Sequence, residues 1–125
     1  MNKKQEEIIK RYFQSWIQKD DSLLGSIFDE DVVYIECYGP EYHGIAQITQ
    51  WFNDWNQNNS VLEWTIKNFI YQGNITVVEW FFKCRCGNEE DGFDGVSLVK
   101  FDNGNKIVEL KEFQSKSEHY YPYGK

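Results

Sequence analysis

Apolar positions along the chain follow two different periods. From Lys3 to Lys19, Ile8, Ile9, Tyr12, Phe13, Trp16 and Ile17 recur at spacings of one, three and four, which predicts an amphipathic helix. Lys19-Asp20-Asp21-Ser22 offers N-cap side chains, and Leu23, Leu24, Ile27 and Phe28 carry a second, shorter helical stripe. Asp31 to Tyr38 is rich in β-formers and runs into Gly39-Pro40, the pattern of a strand ending in a turn. A third helix is expected after Gly44, with Ile45, Ile48, Trp51, Phe52 and Trp55 on one side.

Beyond Asn59 the period changes from helical to alternating. Val61 to Tyr71, Ile75 to Cys86, Phe93 to Asp102 and Lys106 to Ser115 read as strands, separated by Gln72-Gly73-Asn74, a loop over Gly87 to Gly92, and Asp102 to Asn105. Long strands joined by short loops imply an antiparallel meander. The order of two helices, a strand, a helix and four strands gives an α+β domain with helices packed on one face of a curved sheet. One domain is expected over 1–125. Its tail, 117–125, has no periodicity and either frays or folds over the rest.

Composition narrows the function. Thirteen basic against twenty acidic residues give a net charge of −7, and the pI is near 4.8, the wrong sign for a phosphate backbone, so no nucleic-acid partner is expected. No apolar run has the roughly 18 residues of a membrane span, and MNKKQEEIIK lacks the apolar stretch of a signal peptide. These features point to a cytoplasmic location with no membrane partner. Cys37, Cys84 and Cys86 suit reduced thiols, with Cys84 and Cys86 read as small core hydrophobes. No metal site is expected, because a structural zinc needs about four ligands. The unusual quantity is aromatic: five Trp, eight Tyr and nine Phe make 18% of the chain.

Candidate chemistry comes from an acid placed among these rings. Alternation puts Val32, Tyr34, Glu36 and Tyr38 on one strand face and Val33, Ile35 and Cys37 on the other. Facing water, Glu36 would be an ordinary surface carboxylate. Facing a cavity, its proton affinity would rise toward the range useful for acid/base work. The segment from Gly39 to Gly44 has the glycine spacing of a phosphate loop, but Ile45 and Ala46 stand where Lys and Ser or Thr are needed. No dinucleotide, nucleophile-elbow or zinc-protease motif is present.

Several segments, in order, resemble the SnoaL-like branch of the NTF2-like superfamily, which includes ketosteroid isomerases and polyketide cyclases. They are Arg11-Tyr12, Asp20 to Leu23, Phe28 to Tyr34, Gly39 with His43-Gly44-Ile45 and Ile48, and Gly95 to Val108. The resemblance spans about Glu6 to Gln114. It implies a cone: a curved antiparallel sheet wrapped around the long N-terminal helix, with two further helices and a deep pocket at the wide end. It places Tyr12 at the tyrosine that bonds the substrate carbonyl and Glu36 at the catalytic base, making these two the catalytic candidates. Ser97 falls where isomerases carry a protonated aspartate, and Phe52 where they carry a further tyrosine.

The same resemblance turns Val78, Trp80 and Phe82 inward, with Gly95, Ser97 and Val99, and with Val108, Leu110 and Glu112. Ligand-binding candidates are therefore Trp16, Tyr34, Tyr38, Phe52, Trp80, Phe82, Ser97, Leu110 and Glu112. Glu112 is either a second buried acid or part of a rim salt bridge. His43 is read as capping the third helix or lining the pocket, and His119 as lying in a tail that closes over the pocket mouth. Val77, Phe81, Leu98 and Phe113 turn outward, an apolar set that implies a homodimer through the outer sheet face. The expected activity is cofactor-independent isomerisation, cyclisation or dehydration of an apolar or ring-shaped carbonyl compound. The alternatives are a non-catalytic binding module for an apolar or aromatic molecule and a protein-interaction domain.

Overall fold

The computed structural model describes residues 2–124. Helix α1 spans Asn2–Gln18 and buries Ile8, Ile9, Tyr12, Phe13 and Trp16, the stripe that the spacing predicts. Helix α2 is a single turn, Leu24–Ile27, and strand β1 follows it directly at Phe28–Ile35. Strand β2 is Glu41–His43 and helix α3 is Ile45–Asn58. Four long strands close the chain: β3 at Asn59–Gln72, β4 at Ile75–Cys86, β5 at Glu89–Phe101 and β6 at Ile107–Ser115. They form one six-stranded curved sheet in the order β2-β1-β6-β5-β4-β3. Register shifts at Val61/Glu63 and Ile66/Asn68 interrupt β3 and help it bend around α1, where Phe13 stacks on Trp64 at 3.8 Å. No helix is long and apolar enough to cross a membrane, among the described residues.

The α+β architecture and the long first helix agree with the sequence, but the sheet is mixed rather than antiparallel throughout. β1 runs parallel to β6, with Tyr34 opposite Leu110, while all other neighbouring pairs are antiparallel. The second helix is shorter than its stripe, because Phe28 is already extended at φ −104° and ψ 144° and opens β1. Its N-cap residue is Leu23, with no side-chain cap bond, and Asp20 instead accepts the Ser22 amide at 2.9 Å. The first strand ends three residues early: Glu36, Cys37 and Tyr38 lie in a turn closed by the Glu36 amide donating to the Pro40 carbonyl at 2.9 Å.

The loop expected over Gly87 to Gly92 is also shorter. Cys86 pairs with Glu89 across Gly87-Asn88, with Gly87 at φ +66°, and Glu90 returns to meet Arg85 at 2.7 Å and Lys83 at 3.4 Å. Cys86 is exposed rather than a core residue, its Sγ 3.5 Å from that of buried Cys84. On β6 a bulge opposite Lys100/Phe101 shifts the parity, so fully buried Ile107, and not Val108, fills the interior. The outward set is as expected: Phe113 and Leu98 are exposed, and Val77 and Phe81 are half-buried.

Candidate functional site

Between α1, α3 and the inner sheet face lies a cavity of about 40 Å³ that opens to solvent. All five tryptophans line it, at positions 16, 51, 55, 64 and 80, together with Tyr34, Tyr38, Phe82 and Phe93. Glu36, Cys37, Val61 and Glu112 complete the wall. The rings meet at steep angles: Trp16 and Trp55 at 83°, Trp64 and Trp80 at 88°, Trp64 and Phe82 at 80°. Edge-to-face contact is a favourable arrangement for ring pairs, and it fixes the orientation of the wall.

Gly95 is required for this wall. A Cβ there would lie 2.3 Å from Trp80 Cη2 and 2.6 Å from the Phe113 carbonyl oxygen, so the indole of Trp80 lies directly over the β5 backbone. Buried Ser97, next inward on β5, accepts the Trp80 Nε1 proton at 2.9 Å and holds the ring in place.

Two carboxyl groups face the cavity by different routes. Glu36 projects from the turn after β1, where its Oε1 accepts the Tyr42 hydroxyl at 3.0 Å, and Tyr42 stacks on Trp51 with centroids 4.6 Å apart. Burial raises its proton affinity, and the bond from Tyr42 offsets part of that rise. Glu112 comes from β6, opposite Ser97. The residue as a whole is half-buried, but its carboxyl group is enclosed, and burial pushes its pKa up to about 7. Bonds from Tyr34 and from the Cys37 backbone amide pull it down, while the neighbouring charge of Glu36 adds to the rise.

A phenol relay ends on Glu112. Tyr12 donates its hydroxyl to Tyr34 Oη at 2.7 Å, and Tyr34 donates in turn to Glu112 Oε2. Burial, and next the charge of Glu112, raise both phenol pKa values well above normal, so both remain protonated donors.

Of the residues singled out in the sequence, Glu36, Trp16, Tyr34, Tyr38, Trp80, Phe82 and Glu112 come together on the cavity wall. Tyr12, Phe52, Ser97 and Leu110 do not line it. Tyr12 sits one layer deeper, edge-on to Phe28 at 5.0 Å and to the wall residue Trp64 at 5.8 Å, and its hydroxyl bonds Tyr34. Phe52 packs behind Trp16 at 4.4 Å, and Ser97 is spent on Trp80. Leu110 is core between Tyr34 and Val99. Glu112 makes no rim salt bridge among the described residues. His43 is exposed and pairs with Glu41 at 2.6 Å, while His119 is exposed with Nε2 4.0 Å from Asp94, so neither ring lines the cavity.

Sequence reasoning missed Cys37, Trp51, Trp55, Val61, Trp64 and Phe93 as wall residues. Strict alternation points Cys37 away, but the strand has already ended there. The α3 stripe marks Trp51 and Trp55 as inward, and nothing in the periodicity separates inward against core from inward against space.

The comparisons with known proteins agree with this geometry. Residues 9–110 match the family described as the SnoaL-like domain, and the chain belongs to that family. A protein of ketosteroid isomerase-like fold from Catenulispora acidiphila, solved in complex with trimethylamine, superposes with a TM-score of 0.78 at 18% identity, covering 87% of this chain and 85% of that one. An LEH-like epoxide hydrolase from M. tuberculosis superposes at 0.81 with 12% identity, covering 90% and 84%. An NTF-2 like protein of unknown function from Burkholderia xenovorans reaches 0.76 at 17% identity, covering 98% and 91%. Likenesses at these identities show a shared fold. Among curated proteins none matches the chain significantly.

Proposed function

We propose that this SnoaL-like protein binds a small molecule in the aromatic cavity and moves a proton on it, with Glu36 as base and Glu112 as acid. One observation carries the reading: two carboxyl groups share a cavity wall, and their surroundings set their proton affinities apart. Tyr42 favours the ionised form of Glu36, suited to taking a proton from the carbon next to a carbonyl or from water. Burial holds Glu112 near pH 7, where its protonated form can donate to the oxygen on which negative charge develops. The Tyr12–Tyr34 relay orients that carboxyl.

Isomerisation, cyclisation or dehydration of a carbonyl compound fits this pair without a cofactor. The fold neighbour that holds trimethylamine supports the view that such a cone admits small organic molecules. The test is turnover of a panel of cyclic and branched carbonyl compounds. Glu36→Gln should abolish turnover of any accepted compound while its affinity stays within a few-fold, and unchanged turnover would refute the assignment. A binding module without chemistry would show ligand affinity with no turnover by the unaltered protein.

The outward face supports a second proposal, a homodimer in a cytoplasmic protein. Ile70, Val77 and Leu98 lie in register across β3, β4 and β5, with Phe113 exposed nearby on β6. Sedimentation at micromolar concentration should give twice the chain mass, and Phe113→Lys should shift it toward one. A single-chain mass for the unaltered protein would remove this proposal.

A further inference from the structure

From the composition of the cavity wall we infer that the molecule it holds carries an organic ammonium group, seated against the tryptophans with Glu36, and Glu112 when ionised, as its counter-charge. The inference rests on the cavity being the ligand site and names the class of ligand. Aromatic faces carry negative potential, so a wall that is mostly rings favours a cation over a neutral hydrocarbon of the same shape. The steep angles between Trp16 and Trp55 and between Trp64 and Trp80 give this wall the corners of a box rather than a flat slot.

Charge points the same way. No Lys, Arg or His lines the cavity, and neither wall carboxyl has an ion-pair partner among the described residues. With a neutral apolar occupant, only the hydrogen bonds from Tyr42 to Glu36 and from Tyr34 and the Cys37 amide to Glu112 offset the desolvation of these carboxyl groups, whereas an alkylammonium would supply an opposite charge. Glu36 and Glu112 stand together with the ring cluster. Tyr42, which donates to Glu36, stacks on Trp51, and Tyr34, which donates to Glu112, lies 5.0 Å from the same indole. Trp16 is also 4.9 Å from Trp51.

The experiment compares two soluble molecules of similar shape, tetramethylammonium and tert-butanol, by titration calorimetry and tryptophan fluorescence at constant ionic strength. Tetramethylammonium has a charge independent of pH, and all five tryptophans report on the cavity. It should bind about tenfold tighter than tert-butanol, the range expected of cation–ring attraction in a desolvated site. Glu36→Gln with Glu112→Gln should narrow the preference to a few-fold without abolishing it, because the rings remain. Equal or tighter binding of tert-butanol by the unaltered protein would overturn the ammonium inference and leave the cavity as a ligand site. Absence of any response to both probes would overturn the inference and also the reading of the cavity as a ligand site. The comparison on the unaltered protein decides the matter even if the double variant fails to fold.

Discussion

The two ends of the cone are built from different residues. At the closed end, Phe28, Val78, Val99, Phe101 and Ile107, three aliphatic chains and two phenylalanines, have almost no exposed surface. Its buried polar pair is self-satisfied, Thr76 donating to Gln5 Oε1. At the open end, the second half of α1 meets tryptophans set at steep angles and two carboxyl groups, and space remains. Branched side chains interlock at crystal-like density, so one end contributes stability. At the other end space remains beside Glu36, Glu112 and the tryptophans, so that end contributes a site.

Truncation should therefore cost very different amounts at the two ends. Ile107→Ala removes buried methyl groups from a region with nowhere to collapse, and should cost about 3 kcal/mol in urea unfolding. Trp55→Phe, at a half-buried ring already bordering space, should cost under about 1.5 kcal/mol and disturb ligand binding instead. Equal losses at both positions would mean that the open end is as tightly packed as the closed one.

Legibility in the sequence divides along the same line. At the closed end the α1 stripe points Ile8 inward, and alternation in β4 and β5 sorts Val78 and Val99 onto single faces that the family resemblance turns inward, where inward means packed. The open end depends on where elements stop and how they pair. Glu36 stood out as an acid among rings with Tyr38 on the same face, but Cys37 joins them on the wall because β1 ends at Ile35 and the chain turns. Glu112 carries no local sign of its status. It is made a buried acid by the parallel pairing of β1 with β6, a non-local contact that brings Tyr34 beside it. The exception at the closed end is Ile107, which turns inward in place of Val108, since a bulge is set by the partner strand as much as by its own residues.

The smaller expected effect isolates the carboxyl group at the open end. Glu112 has its pKa raised to about 7 in the folded chain, chiefly by burial, whereas the unfolded chain would titrate near the ordinary carboxylate value of about 4.3. The folded state thus holds the proton more tightly, and stability should fall as pH rises through the window between those two values, then level off. Glu36, raised in the same direction, adds to that slope without reversing it. Glu112→Gln keeps an acceptor for the Tyr34 hydroxyl but cannot ionise. Its gain over the unaltered protein should be small near pH 5 and reach about 2 kcal/mol at pH 8, somewhat less than the full linkage value because water enters through the mouth. Urea unfolding at a series of pH values measures both curves. If the two stay parallel from pH 5 to pH 8, burial has not set the Glu112 proton apart, and the chemical difference between the two ends of the cone rests on Glu36 alone.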